Sequence, residues 1–209
     1  MSVILFLGVF VRGAEKRARR LALVSMGTAG FSLMAFELTL IYLFQSAFGD
    51  LYDRLAWVIT AFMAGLGAGT WAVLGLKKIP ERFALAALHI VNTVFFFLLI
   101  QVCARVFSGI SFPGEKYQLI FFGMAFFSGF VAGAVFPIAN RFFLTRGGGE
   151  HFGSVYAADL WGSALGALLT AGFLVPIWGV LETLLLLGAL NFFLSFFLLF
   201  KKYSGGEKS

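Results

Sequence analysis

Charge is scarce in this chain: Asp, Glu, Lys and Arg make up 12% of its 209 residues, against about 25% in soluble domains. Cysteine is scarcer, with Cys103 alone, which excludes an internal disulfide and any cysteine-based metal cluster. Histidine is limited to His89 and His151. Joint ligation of a haem by these two is not expected, because His151 falls in a loop; His89 is expected to be hydrogen-bonded within the fold. No cofactor and no metal are called for.

Apolar residues are what the chain has in excess: 60% hydrophobic, 18% aromatic, 28 Phe. Five apolar runs reach the roughly 20 residues that a membrane span needs: Leu21 to Phe48, Leu55 to Leu76, Phe83 to Phe107, Tyr117 to Leu144 and Val180 to Phe200. Ser154 to Val175 makes a sixth if its acid, Asp159, is tolerated. The expected fold is therefore all-α, a polytopic transmembrane bundle of six long spans. A short apolar segment and basic linker over residues 1–20 precede the bundle at 21–200, and a polar tail closes the chain at 201–209. Val3 to Val11 is long enough to cross only about half of the hydrocarbon and reads as a surviving or shortened helix rather than a signal-peptide core or an interfacial foot.

Basic residues orient the bundle, because Lys and Arg are retained on the cytoplasmic side of short loops. Arg12, Lys16, Arg17, Arg19 and Arg20 precede the first span; Lys77, Lys78 and Arg82 follow the second; Arg141 and Arg146 end the fourth; Lys201, Lys202 and Lys208 end the chain. Arg54, Arg105 and Lys116 are left for the opposite side. The linker and the tail are thus expected in the cytoplasm. This asymmetry accounts for the formal charge of +6. It argues against nucleic acid as a partner; the basic run reads either as a solvated flank that sets topology or as a site for anionic lipid headgroups.

Small residues recur at helical spacing on three spans. Ala61, Gly65, Ala68, Gly69 and Ala72 share a face of the second; Ala125, Gly129, Gly133 and Asn140 a face of the fourth; Gly162, Gly166 and Thr170 a face of the fifth. Missing side chains let backbones approach closely, so these three helices are expected to form the tight inner contacts.

Two blocks carry a family resemblance. The first is G-F-S-L-M-A-F-E from Gly30 to Glu37, followed by F-G-D-L-Y-D-R-L-A-W-V-I-T-A-F-M-A-G-L-G-A-G-T from Phe48 to Thr70. The second is G-F-V-A-G-A-V-F-P-I-A-N-R from Gly129 to Arg141, then V-Y-A-A-D-L-W-G-S-A-L-G-A from Val155, then F-L-V-P-I-W-G from Phe173 to Gly179. Over roughly Leu21 to Phe200 the chain resembles the membrane region of bacterial fused spermidine synthase-like proteins. That resemblance implies major-facilitator-like helices that accompany a soluble aminopropyltransferase-like domain. Gly147-Gly148-Gly149-Glu150 is similar to the glycine-rich nucleotide loop of that enzyme, but it follows a membrane helix with no strand–loop–helix unit around it. It reads as a linker, and polyamine synthesis by this chain alone is not expected.

Polar groups at membrane depth are the remaining candidates. Glu37 lies near the middle of the first span, with Asn92 and Gln101 of the third, and Gln45, as candidate hydrogen-bond partners. A carboxylate there supports either a proton- or cation-binding site or a plain interhelical hydrogen bond. Asp159, one and a half turns into the fifth span, is expected to pair with Arg141 beside Asn140 and latch the fourth span to the fifth. Glu182 suits the positive end of the last helix, and Trp57 and Trp178 suit the outer interface.

The expected function is that of a non-catalytic inner-membrane subunit that anchors other subunits or a second copy of itself. The alternative is half of a secondary transporter with Glu37 as its coupling acid. A quinone-facing or cytochrome-supporting subunit of a redox complex is a third reading.

Overall fold

The computed structural model describes residues 14–49, 52–75, 79–107, 116–145 and 153–200; Val3 to Val11, the glycine run at 147–149, His151 and the tail lie outside them. Six helices follow in order: α1 (Ala14–Phe48), α2 (Tyr52–Leu74), α3 (Glu81–Phe107), α4 (Lys116–Thr145), α5 (Ser154–Leu169), which continues as a π-helical segment over Thr170–Trp178, and α6 (Val180–Phe200). There is no strand among the described residues. Each helix, α5 taken with its π segment, holds a stretch long and apolar enough to cross a membrane, as the sequence predicts. In hydrocarbon every backbone amide must find its partner within the chain, and a helix does this locally.

The radial arrangement is that of a membrane bundle. Large side chains such as Trp71, Trp161, Met63, Phe173 and Phe193 face outward, while Ser25, Ser32, His89, Asn92, Ser128 and Asn191 are buried. Trp57 and Trp178 are exposed near the ends of α2 and of the π segment. The α5–α6 turn is made by Gly179, whose φ of 99° suits glycine, and its N–H caps the carbonyls of Leu174 and Val175 at 3.0 and 3.1 Å.

Helices associate in three pairs, α2 with α4, α1 with α5 and α3 with α6, and α1 and α4 meet at the centre. In the α2–α4 pair, a Cβ added at Gly65 or Gly69 would strike the carbonyls of Phe126 and Phe130, and one at Gly129 or Gly133 those of Phe62 and Leu66. In the α1–α5 pair, Gly162 and Gly166 lie against the carbonyls of Gly27 and Phe31. The small-residue faces thus work as the sequence suggests, with one correction. The stripe of the fifth span meets the first span, where Gly27 and Gly30 supply the matching small residues, and does not join the second and fourth in a common contact.

These two interfaces are copies of one another. Gly30-Phe31 and Gly129-Phe130 are 99 residues apart, and the pairs Gly65/Gly69 and Gly162/Gly166 are 97 apart. The carbonyl of Phe130 covers Gly69 as that of Phe31 covers Gly166, and Gly129 rests on Phe62 and Leu66 as Gly30 rests on Asp159 and Ser163. The third helices follow suit: Leu88-His89-Ile90-Val91-Asn92 matches Leu187-Gly188-Ala189-Leu190-Asn191. Helices α1–α3 and α4–α6 therefore form an inverted repeat, since three spans is an odd number and the second set enters the membrane in the opposite sense. The α3–α6 pair and the α1–α4 contact lie on the pseudo-twofold axis.

Candidate functional site

A polar centre is built on that axis, and every member comes from a different turn of α1, α3 or α6. Asn191 donates through Nδ2 to its own helix at Leu187 O and to Ser32 Oγ of α1, both at 2.9 Å. A carbonyl can only accept, so this fixes the amide orientation and turns Asn191 Oδ1 toward His89 Nδ1, 2.7 Å away. The proton of a neutral His89 then sits on Nδ1, and Nε2 accepts from Ser25 Oγ at 2.7 Å. His89, Asn191, Ser25 and Ser32 are all fully buried. Thr93, one turn on, spans the same interface by donating to His89 O at 2.9 Å and Gly188 O at 3.4 Å. Both imidazole nitrogens of His89 are engaged within the bundle.

The two halves are not equivalent at this centre. The counterpart of Asn191 is Asn92, 1% exposed, whose Oδ1 and Nδ2 both lack a hydrogen-bond partner. Repeat symmetry explains the difference. The positions matching His89, Ser25 and Ser32 are Gly188, Met124 and Val131, so the side chains that satisfy Asn191 have no polar equivalents beside Asn92.

Glu37 and Asn92 are both buried, whereas Gln101 is exposed, and no hydrogen bond joins Glu37 to either among the described residues. The expected grouping of Glu37 with Asn92 and Gln101 is therefore not formed. The reason is helix pairing: the α1 face carrying Gly30 and Glu37 turns to α5, while Asn92 belongs to the α3–α6 seam.

The basic ends are tied differently from the expected latch. Arg141 Nε lies 3.2 Å from Glu81 Oε1, so the ion pair joins α3 to α4. Asp159 instead packs its carboxylate and carbonyl against Gly30, where an added Cβ would lie 2.6 Å from each. Asp159 thus marks the α1–α5 contact, and Asn140 is half-buried next to Arg141 near the end of α4. Arg82 reaches across from α3 to donate to the carbonyl of Leu198 through Nε and to that of Leu199 through Nη2 at 3.0 Å, which suits the negative end of α6. A shallow groove of about 330 Å³ opens nearby, lined by Val73, Leu74, Pro137 and Arg141.

Six apolar spans around a polar seam define a polytopic integral membrane protein. No family model, no curated protein and no solved structure matches the chain, so the functional reading rests on its own residues.

Proposed function

We propose that this chain is a six-helix half of a secondary-transporter-type membrane unit, working with a second six-helix unit that is either another copy or a sister half. The observation that carries the reading is the inverted repeat, with its polar residues placed unequally in the two halves. Transporters of this architecture place ion and substrate groups near the midplane at the repeat interface and use interrupted helices there. Here α5 gives way, over the last part of its span Ser154–Trp178, to a π segment that contains Pro176.

The anchoring reading shares one observation with it. Helices α2 and α5 are the least covered, with Trp57, Met63 and Trp71 exposed on one and Tyr156, Trp161 and Leu168 on the other. Those faces suit either lipid or the second unit. The resemblance to fused spermidine synthase-like proteins and the distribution of Lys and Arg support a bacterial inner membrane, with the basic ends in the cytoplasm and anionic lipids beside them. Purification from native membranes followed by mass measurement of the intact complex tests the reading. A stable pair of six-helix units is the expected result, and a solitary chain, or one held by unrelated soluble subunits, contradicts it.

A further inference from the structure

Two oxygen-bearing side chains are left without partners where α1 meets the end of α5. Gly30 sits between Asp159 and Ser163. Glu37 follows seven residues later, on the same stripe of α1, and the parallel register carries it to a place between Gly166 and Thr170. Contact between α1 and the π segment shows that the two helices are still together at this depth.

Thr170 is fully buried and its Oγ1 has no hydrogen-bond partner. This is unusual within the molecule. Thr39, Thr60, Thr93 and Thr183 each close on the carbonyl four residues earlier, as hydroxyls in helices commonly do. Thr170 stands where α-helical hydrogen bonding gives way to the π segment. Pro176, which has no N–H, further leaves one carbonyl of the preceding turn without its donor.

The matching place in the other half is apolar. Glu37 corresponds to Phe136 and Thr170 to Val73, with Gly69 in the position of Gly166. The acid and the hydroxyl are therefore an addition made to one repeat only, which close packing alone does not require. Of the arginines whose side chains are described, Arg19, Arg20, Arg82 and Arg141 lie toward one end of the helices and Arg54 toward the other. Other acids are also distant: Asp159 lies two turns nearer the basic end, and the Glu182 carboxylate is turned toward Gly179.

From this placement we propose that Glu37 and Thr170 bind a monovalent metal cation, with Na⁺ the ion to be tested. One carboxylate balances one positive charge, and the threonine hydroxyl supplies a hard neutral oxygen of the kind such an ion takes. The proposal rests on the transporter reading, in which the ion would be the coupling ion.

Thermal unfolding of the purified full chain in detergent, at fixed pH and with NaCl exchanged for choline chloride at constant ionic strength, tests it. Na⁺ is expected to raise the midpoint saturably by on the order of a few degrees. Glu37→Gln and Thr170→Val should abolish the Na⁺ response, and Thr170→Ser should keep it. Binding of ²²Na⁺ to the wild type provides a readout if Glu37→Gln does not fold. Equal midpoints in Na⁺ and choline together with no ²²Na⁺ bound, or a response unchanged in Thr170→Val, overturns the proposal. A midpoint that follows pH and ignores Na⁺ also overturns it, in favour of a proton at Glu37, and leaves the transporter reading standing.

Discussion

Asn92 and Asn191 stand at matching positions of the two three-helix halves, yet only the Asn191 amide is hydrogen-bonded, to His89, Ser32 and Leu187. The same residue type therefore has opposite energetic roles on the two sides of one axis. A buried amide with its partners in place contributes stability, while one without them carries its desolvation cost uncompensated.

Substituting each by the near-isosteric leucine separates these roles. Asn191→Leu strands His89 Nδ1 and is expected to destabilise the bundle by about 1–3 kcal/mol. Asn92→Leu removes an unpaired amide and is expected to be neutral or stabilising by about 1 kcal/mol. Reversible unfolding in mixed detergent micelles measures both, and equal losses would show that Asn92 has partners of its own.

Gly69 and Gly166 are covered by backbone carbonyls, whereas Gly67 and Gly172 face open space. Gly69→Ala and Gly166→Ala should each destabilise by about 1–3 kcal/mol, because the obstructing atoms belong to a neighbouring helix backbone that cannot rotate away. Gly67→Ala should be neutral or gain up to about 1 kcal/mol from helix propensity. The same unfolding assay decides, and indifference at both covered glycines would contradict the repeat interface.

A double-mutant cycle should place Arg141 with Glu81. The pair is partly exposed, with side-chain accessibilities of 30% and 28%, so the coupling expected is about 0.5–1 kcal/mol and should shrink with salt. A parallel cycle on Asp159→Asn and Arg141→Gln should give a smaller value. A larger coupling in the second cycle would restore the latch between the fourth and fifth spans.

Much of this was readable in the chain, and what was missed has identifiable causes. Hydropathy located all six spans because each must be apolar along its length. It also tolerated Asp159, whose carboxylate is accommodated by Gly30. Stripes of glycine revealed which faces pack, but a stripe does not name its partner; that Gly162 and Gly166 meet Gly27 and Phe31 depends on helix order in three dimensions. The His89 network joins residues 64 and 102 positions apart, beyond any local pattern. A usable signal did exist for the repeat. Gly30-Phe31 recurs at Gly129-Phe130 and Leu88 with Asn92 at Leu187 with Asn191, and an alignment of the chain against itself would have found both. Pro176 likewise marked the interrupted fifth span, although proline alone does not tell a kink from a π segment.

The central claim, that this bundle moves as a transporter half, is tested most directly by thiol accessibility at its interrupted helix. Cys103 is the one native cysteine, so Leu174→Cys in the buried part of the π segment, in a Cys103→Ala background, reports on a single site in right-side-out and inside-out vesicles. The expected result is labelling by a membrane-impermeant maleimide from one face, with protection or a change of face when the second unit or the bound cation is removed. A cysteine at 174 that reacts from neither face under any of these conditions would contradict the claim and leave a static anchor in its place.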